Sequence, residues 1–262
     1  MDLRLNHVAV PARDIAENAA FYRALGLADG FARRDAWVPA AAVVALPEGL
    51  SLHEAMALGT AGFTAGLGVR RMLENHQHPE LGPIVVTGPT GGVGSIAIQI
   101  LKSAGFEVVA LTGKKADAED YLRQLGADEV LDRNELDLGR KPLEAARFGG
   151  AVDNLGGETL AGLTRNIRQW GCIASIGLAQ SHELNTTVMP FILRGVSLLG
   201  INSVEVPRPW RLDVWKQLAG PWKPAHLDRI VRRTISLDEV PDACAELMAA
   251  TAQGRYVVRI GG

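Results

Sequence analysis

The sequence lacks most of the features that mark secreted, membrane-spanning or metal-stapled proteins. Its two cysteines, Cys172 and Cys244, lie far apart in neither a CxxC motif nor a Cys/His array, so a disulfide framework and a metal site are not expected. No apolar run approaches the roughly 20 residues of a membrane span. Asp2, Arg4 and Asn6 interrupt the segment where a signal peptide would be apolar. These absences favour a cytoplasmic protein.

Charge is also sparse and evenly spread. Charged residues make up 21% of the 262-residue chain, the formal net charge is -2, and lysine and arginine are scattered. A protein that tracks a nucleic-acid backbone would concentrate positive charge on one surface. With 47% hydrophobic residues, the composition predicts a globular protein with a large core. Small molecules are therefore the expected partners, rather than nucleic acid or a membrane.

The sequence does contain a regular alternation of β-rich runs and helical stretches. Examples of the β-rich runs are PIVVT (83–87), EVVAL (107–111), AVDNL (151–155), CIASIG (172–177) and VSLLGI (196–201). Apolar runs separated by helices are typical of a parallel sheet that is covered on both faces. The alternation predicts an α/β fold, a doubly wound parallel sheet of the Rossmann type with helices on both faces.

Helix and strand signals also flank this alternation. Ser51, with Glu54 three residues later, forms a capping-box pattern that predicts the start of a helix. The helical pattern that follows is rich in small residues, which predicts close packing against other backbone. Near the C-terminus, TISLDEVPDACAELMAATAQG (234–254) is predicted as a capped helix and RYVVRI (255–260) as a final strand.

A glycine-rich loop stands between a predicted strand and a predicted helix. PIVVT runs into the sequence GPTGGVG at 88–94, and a helical pattern follows at once. Glycines let the backbone approach a pyrophosphate, and the helix N-terminus offers free N–H groups and the positive end of its dipole. The spacing is GxxGxxG rather than the commoner GxGxxG, so a plain glycine-rich turn is the alternative. The order of strand, loop and helix predicts a dinucleotide site.

The residues after the second strand indicate which dinucleotide is bound. An NAD-specific site usually places an acid there for the ribose 2′-hydroxyl, but this chain has Thr112-Gly113-Lys114-Lys115. A hydroxyl and an ammonium can pair with a 2′-phosphate, whereas an acid would repel it. NADPH is therefore the predicted cofactor. In the alternative interpretation, the two lysines are only a solvated approach to the next helix.

Seven segments together carry a resemblance to a known family. They are LPEGLSLHEAMALGTAGFTAGL, VVTGPTGGVGSIAI, TGK, VDNLGG, ASIGLA, TTVMPFILRGVSLLGINSV and GRYVVRI. On these segments, residues from about 36 to 262 resemble the zinc-independent medium-chain dehydrogenase/reductases, in the branch of the quinone oxidoreductases and acrylyl-CoA reductases. The resemblance implies reduction of an activated C=C bond, in an enoyl-CoA such as acrylyl-CoA, or of a quinone, with hydride from NADPH.

The resemblance also implies a set of cofactor-binding residues. The catalytic residues stay unknown, and no metal ligand is expected. Gly91 to Gly94 would hold the pyrophosphate, and Thr112 and Lys114 would hold the 2′-phosphate. The complete set is Thr87, Gly91, Gly92, Val93, Gly94, Thr112, Gly113, Lys114, Asn154, Gly177, Leu178, Asn202, Ser203 and Arg255.

The domain organisation follows from the same resemblance. Residues 58–227 would form the NADPH-binding Rossmann domain. The family also has a GroES-like domain, and only residues 31–57 and 228–262 correspond to it, as a small α+β region on the substrate side. Within residues 1–30, the segment 3–27 instead resembles the first βα unit of a glyoxalase/dioxygenase-like module, in which a histidine at the position of His7 is often a metal ligand. A simple structural strand is the alternative for that segment.

Three functional hypotheses stay open on the sequence. The first is an NADPH-dependent reductase with an abbreviated substrate domain, the second a protein that binds NADPH without catalysis, and the third a metal-dependent glyoxalase-like enzyme. In the resembling family the segment 196–204 is an edge strand that pairs two subunits, and dimerisation covers an unpaired strand edge. A homodimer through 196–204 is therefore expected.

Overall fold

The computed structural model describes residues 44–249 and 251–259. Helices and strands alternate through this part of the chain. In chain order they are α1 (Leu52–Glu74), β1 (Ile84–Thr87), α2 (Gly92–Ser103), β2 (Val108–Thr112), α3 (Lys115–Gln124), β3 (Glu129–Asp132), β4 (Gly150–Asp153), α4 (Gly157–Asn166), β5 (Cys172–Ser175), α5 (Met189–Arg194), β6 (Ser197–Gly200), α6 (Arg208–Ala219), α7 (Leu227–Ile230), β7 (Val231–Ile235), α8 (Val240–Met248) and β8 (Arg255–Val258).

Six of the strands form one parallel sheet in the order β3-β2-β1-β4-β5-β6. In the centre of the sheet Val86 pairs with Ala110 on one side and with Val152 on the other. The chain runs outward from β1 to β3, then crosses back to β4 beside β1, so the strand order reverses between β1 and β4. Ligands of such sheets bind at the carboxyl ends of the strands beside this reversal. The predicted doubly wound parallel sheet is confirmed.

Alternate side chains of the central strands enter two separate apolar layers. Ile84 and Val86 belong to the layer that contains buried residues of α1, α2, α3 and α6. Val85 belongs to the opposite layer, with Leu160 and Leu163 of α4. Burial of one such side chain stabilises the fold by about 1.5–3 kcal/mol, which makes the two layers the main source of stability. The prediction of helices on both faces is confirmed.

Helix α1 starts with the predicted capping box and bends at a glycine. The Glu54 backbone N–H donates to the Ser51 hydroxyl (3.2 Å), and the Ser51 backbone N–H donates to the Glu54 carboxylate (2.8 Å). Gly59 then leaves the helical conformation with φ 47° and ψ -146°. This left-handed region disfavours side chains with a Cβ, so a glycine suits the bend.

The C-terminal region differs from the prediction. Strands β7 and β8 form a separate two-stranded parallel sheet, in which Ile235 pairs with Val258. The predicted helix over 234–254 is therefore wrong at its start, because Thr234 and Ile235 belong to β7 and the helix begins only at Val240. Ser236 donates from its backbone N–H to Glu239 (2.8 Å) and turns the chain between the two elements.

The N-terminal predictions lie outside the described residues. This applies to the glyoxalase-like segment 3–27, to His7, and to most of the segment 31–57. Within residues 44–249 and 251–259, no helix combines the length and the apolar character needed to cross a bilayer.

Candidate cofactor site

The glycine-rich loop makes a tight turn from β1 into α2. Gly88 adopts φ 55°, and the Gly91 backbone N–H donates to the Gly88 carbonyl (3.1 Å). A Cβ at Gly94 would lie 2.7 Å from the Cα of Pro89 and closer still to the Gly88 carbonyl oxygen. Only glycine fits at residue 94, because both neighbours are backbone atoms.

The first turn of α2 has no side-chain cap among the described residues. Gly91 is the N-cap residue, no side chain caps the helix, and no acidic residue lies in its first turn. The leading N–H groups of a helix have no intrahelical partner, and the helix dipole places partial positive charge beside them. Gly92, Val93 and Gly94, which the sequence assigns to the pyrophosphate, supply these groups.

Arg255 brings a half-buried cation to the same place. The chain just before β8 contacts the glycine-rich loop, because the Gly254 backbone N–H donates to the Thr90 carbonyl (2.8 Å). The Arg255 Nε donates to the Ala57 carbonyl (3.1 Å), and a Cβ at Gly92 would lie 2.7 Å from the Arg255 Cδ. Burial lowers the pKa of Arg255.

No carboxylate in the described part of the chain pairs with Arg255. A buried charge without a counter-ion is costly, and an anion at the α2 N-terminus would compensate it. The loop, the uncapped helix and the unpaired cation therefore suit a pyrophosphate.

A hydrogen-bond network ties the ends of β1 and β4 together. The Thr87 hydroxyl donates to Asp153 Oδ1 (2.8 Å) and accepts from the Asn154 backbone N–H (2.9 Å). The Asn154 amide Nδ2 donates to the Thr87 carbonyl (2.7 Å), and the Gly156 N–H donates to Asp153 Oδ2 (2.8 Å). Burial raises the pKa of Asp153, and these hydrogen bonds oppose that increase. The side chains of Thr87 and Asn154 therefore fix the shape of the site at the reversal point.

The next strand end is held against the same network. The Ile176 and Gly177 backbone N–H groups both donate to the Asp153 carbonyl, at 2.8 and 3.2 Å. A Cβ at Gly177 would collide with the backbone of Asn154, so this position also requires glycine. Leu178 follows with its side chain exposed.

The end of β2 carries the residues predicted for the 2′-phosphate. Thr112 is buried, and its hydroxyl accepts from the Lys114 backbone N–H (3.1 Å), while Gly113 and Lys114 are exposed. Arg133, at the end of β3, donates from its backbone N–H to the Thr112 carbonyl (2.8 Å). Its guanidinium lies beside Gly113, where a Cβ would be 3.1 Å from Arg133 Nη2. No pattern in the sequence singles out Arg133. Only the pairing of β2 with β3 reveals its position.

The loop after β6 contains Asn202 and Ser203. Asn202 Oδ1 accepts from the backbone N–H groups of Val204 (3.0 Å) and Glu205 (3.2 Å), which makes a compact turn. Arg211 of α6 donates to the Val204 carbonyl (2.9 Å), and its guanidinium lies 4.7 Å from the ring centroid of Phe63 in α1. Arg211, which the sequence patterns also miss, therefore holds this loop against α1.

The fold thus gathers the predicted site residues at one edge. Because the strands are parallel, the segments after β1, β2, β4, β5 and β6 all emerge at the carboxyl edge of the sheet, and Arg255 reaches the glycine loop from β8. In the described part of the chain, no three His, Cys, Asp or Glu side chains are grouped to hold a metal ion. The geometry defines a Rossmann-type protein whose glycine loop leads into a helix without a side-chain cap.

Comparison with known proteins supports this class and narrows it. The family model for "Zinc-binding dehydrogenase" matches residues 92–219. The chain is 47% identical over 233 residues to "Putative quinone oxidoreductase YhfP" of Bacillus subtilis, which covers 88% of this chain and 70% of that protein. It is 42% identical over 219 residues to "Acrylyl-CoA reductase AcuI" of Ruegeria pomeroyi, which covers 83% of this chain and 66% of that protein.

Solved structures show the same relationship. The crystal structure of B. subtilis YhfP with NAD bound matches with a TM-score of 0.82 and 47% identity, over 85% of this chain and 68% of that one. The YhdH oxidoreductase of Salmonella enterica in complex with NADP matches with a TM-score of 0.79 and 39% identity, over 83% of this chain and 66% of that one. The chain belongs to the medium-chain dehydrogenase/reductase family of oxidoreductases. It spans about two thirds of the length of these relatives. The resemblance is confirmed, and none of these similarities supports the glyoxalase-like interpretation of 3–27.

Proposed function

We propose that this chain is an NADPH-dependent oxidoreductase that reduces the activated C=C bond of an enoyl-CoA such as acrylyl-CoA, or a quinone. The observation that carries the proposal is the guanidinium of Arg255 beside the uncapped N-terminus of α2, because no carboxylate of the described residues pairs with it. This arrangement calls for a bound anion. The names of YhfP and AcuI supply the two acceptor classes, and the structures with NAD and NADP supply the class of cofactor.

The predicted site residues divide by the part of the cofactor that each would contact. Gly91, Gly92, Val93, Gly94 and Arg255 would hold the pyrophosphate, and Thr112, Gly113 and Lys114 the 2′-phosphate. The residues on the nicotinamide side would be Thr87, Asn154, Gly177, Leu178, Asn202 and Ser203. When bound, the reduced nicotinamide supplies the hydride. The protein's part is to orient the acceptor against it and to exclude water.

We assign residues 58–227 to cofactor binding, and residues 31–57 and 228–262 to the substrate side. Two observations support this division. The family model ends at residue 219, and β7 and β8 form a sheet of their own. In this assignment the segment 228–262 belongs to the substrate side and also contributes to cofactor binding, because Arg255 lies in β8 and contacts the glycine loop.

The first experiment measures the loss of NADPH absorbance when the purified protein meets acrylyl-CoA, crotonyl-CoA and small quinones in parallel. Dinucleotide binding is measured separately by calorimetry. Oxidation that depends on one acceptor is the expected result. The Arg255→Met variant serves as the negative control, because it removes the cation and keeps an apolar side chain of similar reach. A wild-type protein that binds neither NADPH nor NADH would overturn the proposal.

A second candidate function is NADPH binding without turnover. The observation that favours it is the Arg255 guanidinium beside the α2 N-terminus, which accounts for dinucleotide binding and not for turnover. Tight NADPH binding with no oxidation by any of the acceptors would select this candidate. Acceptor-dependent oxidation would exclude it.

We propose that two copies of the chain pair through 196–204. In the described sheet β6 is an edge strand bonded to β5. Helix α5 precedes β6 in the chain, and its N-cap residue Val188 (64%) and its residue Ile192 (72%) are exposed. Exposed apolar side chains next to a free strand edge favour association.

Sedimentation velocity should show a dimer for the wild type and a monomer for Ile192→Lys. The control is Leu247→Lys, which places the same charge on an exposed apolar position of α8. A wild type that stays monomeric at high concentration would refute the pairing.

We also propose a cytoplasmic location. Cys172 is buried and Cys244 is partly exposed, and both are free thiols. Free, accessible thiols persist in a reducing compartment. Fractionation of the source cells should recover the protein with cytoplasmic markers, and recovery with the cell envelope would contradict this.

A further inference from the structure

The glycine-rich loop contains a tight turn whose central peptide joins Pro89 to Thr90. The Gly91 backbone N–H donates to the Gly88 carbonyl (3.1 Å), so these four residues form a β-turn. The two common types of this turn differ in the direction that the central peptide faces. Thr90 does not adopt the positive φ that the third residue of a type II turn needs, so that type is excluded.

Ser95, near the start of α2, holds this central peptide. The residue is fully buried, and its hydroxyl donates to the Pro89 carbonyl (3.0 Å). A trans peptide directs its carbonyl and its N–H to opposite sides. The Thr90 N–H therefore points away from Ser95, and no acceptor within residues 44–249 and 251–259 takes it. The Ser95 hydroxyl thus sets the direction of one backbone donor in the loop.

The Ser95 hydroxyl is itself held by Tyr121 of α3, whose hydroxyl lies 3.0 Å from Ser95 Oγ. Ser95 has one hydroxyl proton, which goes to the Pro89 carbonyl, so Tyr121 is the donor. Burial raises the pKa of Tyr121, which keeps the phenol protonated well above neutral pH. Without this donor, the Ser95 hydroxyl is free to turn to the Gly91 carbonyl four residues earlier in the helix.

We propose that Tyr121 is a positioning residue for the pyrophosphate of the cofactor, and that it acts through Ser95. The proposal rests on the function proposed above. Tyr121 belongs to α3 and is not one of the residues predicted to contact the cofactor. Because it fixes the Ser95 hydroxyl, it also fixes the Pro89–Thr90 peptide and presents the Thr90 N–H to a pyrophosphate oxygen. A donor that already has its bound orientation loses less freedom when the ligand arrives.

The test is equilibrium binding of three ligands to the wild type and to Tyr121→Phe, which removes only the hydroxyl. NADPH and NADH both contain the pyrophosphate, whereas 2′-AMP has the adenosine and the 2′-phosphate without it. Tyr121→Phe should weaken the binding of NADPH and of NADH alike by about two- to tenfold, the range for one neutral hydrogen bond. Binding of 2′-AMP, followed by NMR titration, should stay within about twofold. A general loss of structure would weaken the binding of all three ligands.

A double-mutant cycle tests the route through Ser95. Ser95→Ala removes the group through which Tyr121 acts, so it should weaken binding of the two dinucleotides at least as much as Tyr121→Phe does. In the Ser95→Ala background, Tyr121→Phe should cause no further loss. The matched control is Ser103→Ala, which removes a hydroxyl bonded to the Gln99 carbonyl (3.0 Å) at the other end of α2. This variant should bind all three ligands as the wild type does.

The outcomes separate the two proposals. A Tyr121→Phe protein that binds the dinucleotides as the wild type does, or that loses 2′-AMP binding equally, overturns the positioning role and leaves the proposed function standing. Additive losses in the double variant overturn the route through Ser95. A wild type that binds no dinucleotide overturns the proposed function and this role with it. A loss confined to the dinucleotides, and absent from the Ser95→Ala background, supports both proposals, and retained 2′-AMP binding shows that the variant is folded.

Discussion

The Thr87 hydroxyl donates a hydrogen bond to the Asp153 carboxylate across 2.8 Å, and this bond joins β1 to β4 at the point where the strand order reverses. The carboxylate is fully buried and also accepts from the Gly156 backbone N–H. A dinucleotide site in this sheet opens between these two strand ends. Asp153 therefore holds the ends of β1 and β4 together without being one of the predicted ligands.

Replacement of Asp153 by asparagine should destabilise the protein. The new amide directs an NH₂ group toward either the Thr87 hydroxyl or the Gly156 N–H, and an unsatisfied buried donor costs about 1–3 kcal/mol. The cost should depend on pH. Burial raises the folded-state pKa of Asp153 above its ordinary 3.8, so the stability it adds is complete below pH 3.8 and decreases as the pH rises through the raised pKa.

Urea unfolding from about pH 4 to about pH 8 measures this dependence. The difference in free energy of unfolding between the wild type and Asp153→Asn should be largest at the acid end and shrink with rising pH. The matched control is Asp238→Asn, at an exposed position, which should change neither the stability nor its pH slope. A difference that grows with pH would show that the pKa of Asp153 is lowered instead.

The start of α1 gives a second prediction with the opposite sign. Glu54 pairs with Lys223 (2.7 Å) and accepts from Ser51, and these contacts lower its pKa from 4.5 to about 2. A lowered folded-state pKa adds stability above pH 4.5, which is lost as the pH falls toward 2. Lys223→Met removes the largest cause, so the pKa of Glu54 should rise while staying below 4.5 because of Ser51.

Titration of the Glu54 carboxyl by NMR measures this shift directly. The control is Lys216→Met, which removes an exposed lysine of α6 and should leave the pKa of Glu54 unchanged. An equal shift in both variants would mean that the overall positive charge, rather than the contact with Lys223, lowers the pKa.

Gly94→Ala tests the tight turn of the glycine-rich loop. The new Cβ would meet Pro89 Cα at 2.7 Å, and because backbone on both sides cannot move aside, the loss should be about 1–3 kcal/mol. Gly91→Ala is the matched control: its Cβ would meet nothing closer than the Gly88 carbonyl oxygen at 3.4 Å, and its φ of -79° suits alanine. It should cost under about 0.5 kcal/mol. Denaturant unfolding of both variants decides the point, and equal losses would mean that the loop relaxes around Gly94.

The elements that were predicted correctly from sequence depend on short segments. The capping box of Ser51 and Glu54 spans four residues, and the glycine loop lies within one turn between a strand and a helix. Such short patterns are visible in the sequence itself. The sheet followed from the alternation of apolar runs with helices, because that pattern needs a covered parallel sheet. The parallel orientation of the strands places the predicted site segments after β1, β2, β4, β5 and β6 at one edge of the sheet.

The missed features depend on contacts between distant segments. Arg133 reaches Gly113 only because β2 pairs with β3, and Arg211 reaches Val204 only because α6 packs on α1. The start of α8 was misplaced for a related reason. Ile235 continues the apolar pattern of the helix, yet its pairing with Val258 in β8 places it in a strand.

Arg255→Met separates cofactor binding from stability. In the free protein the substitution removes a half-buried cation that no carboxylate of the described residues pairs. This offsets the lost bond to Ala57, so the free energy of unfolding should stay within about 1 kcal/mol of the wild type. NADPH at 100 times its Kd should stabilise the wild type by about 2.7 kcal/mol, and the variant should lose this gain. Chemical unfolding with and without NADPH measures both quantities.

Arg232→Met, on the exposed face of β7, removes the same charge and should keep the full gain. If Arg255→Met instead unfolds readily without NADPH, Arg255 chiefly joins the tail to the loop. If it keeps the gain, the pyrophosphate lies elsewhere.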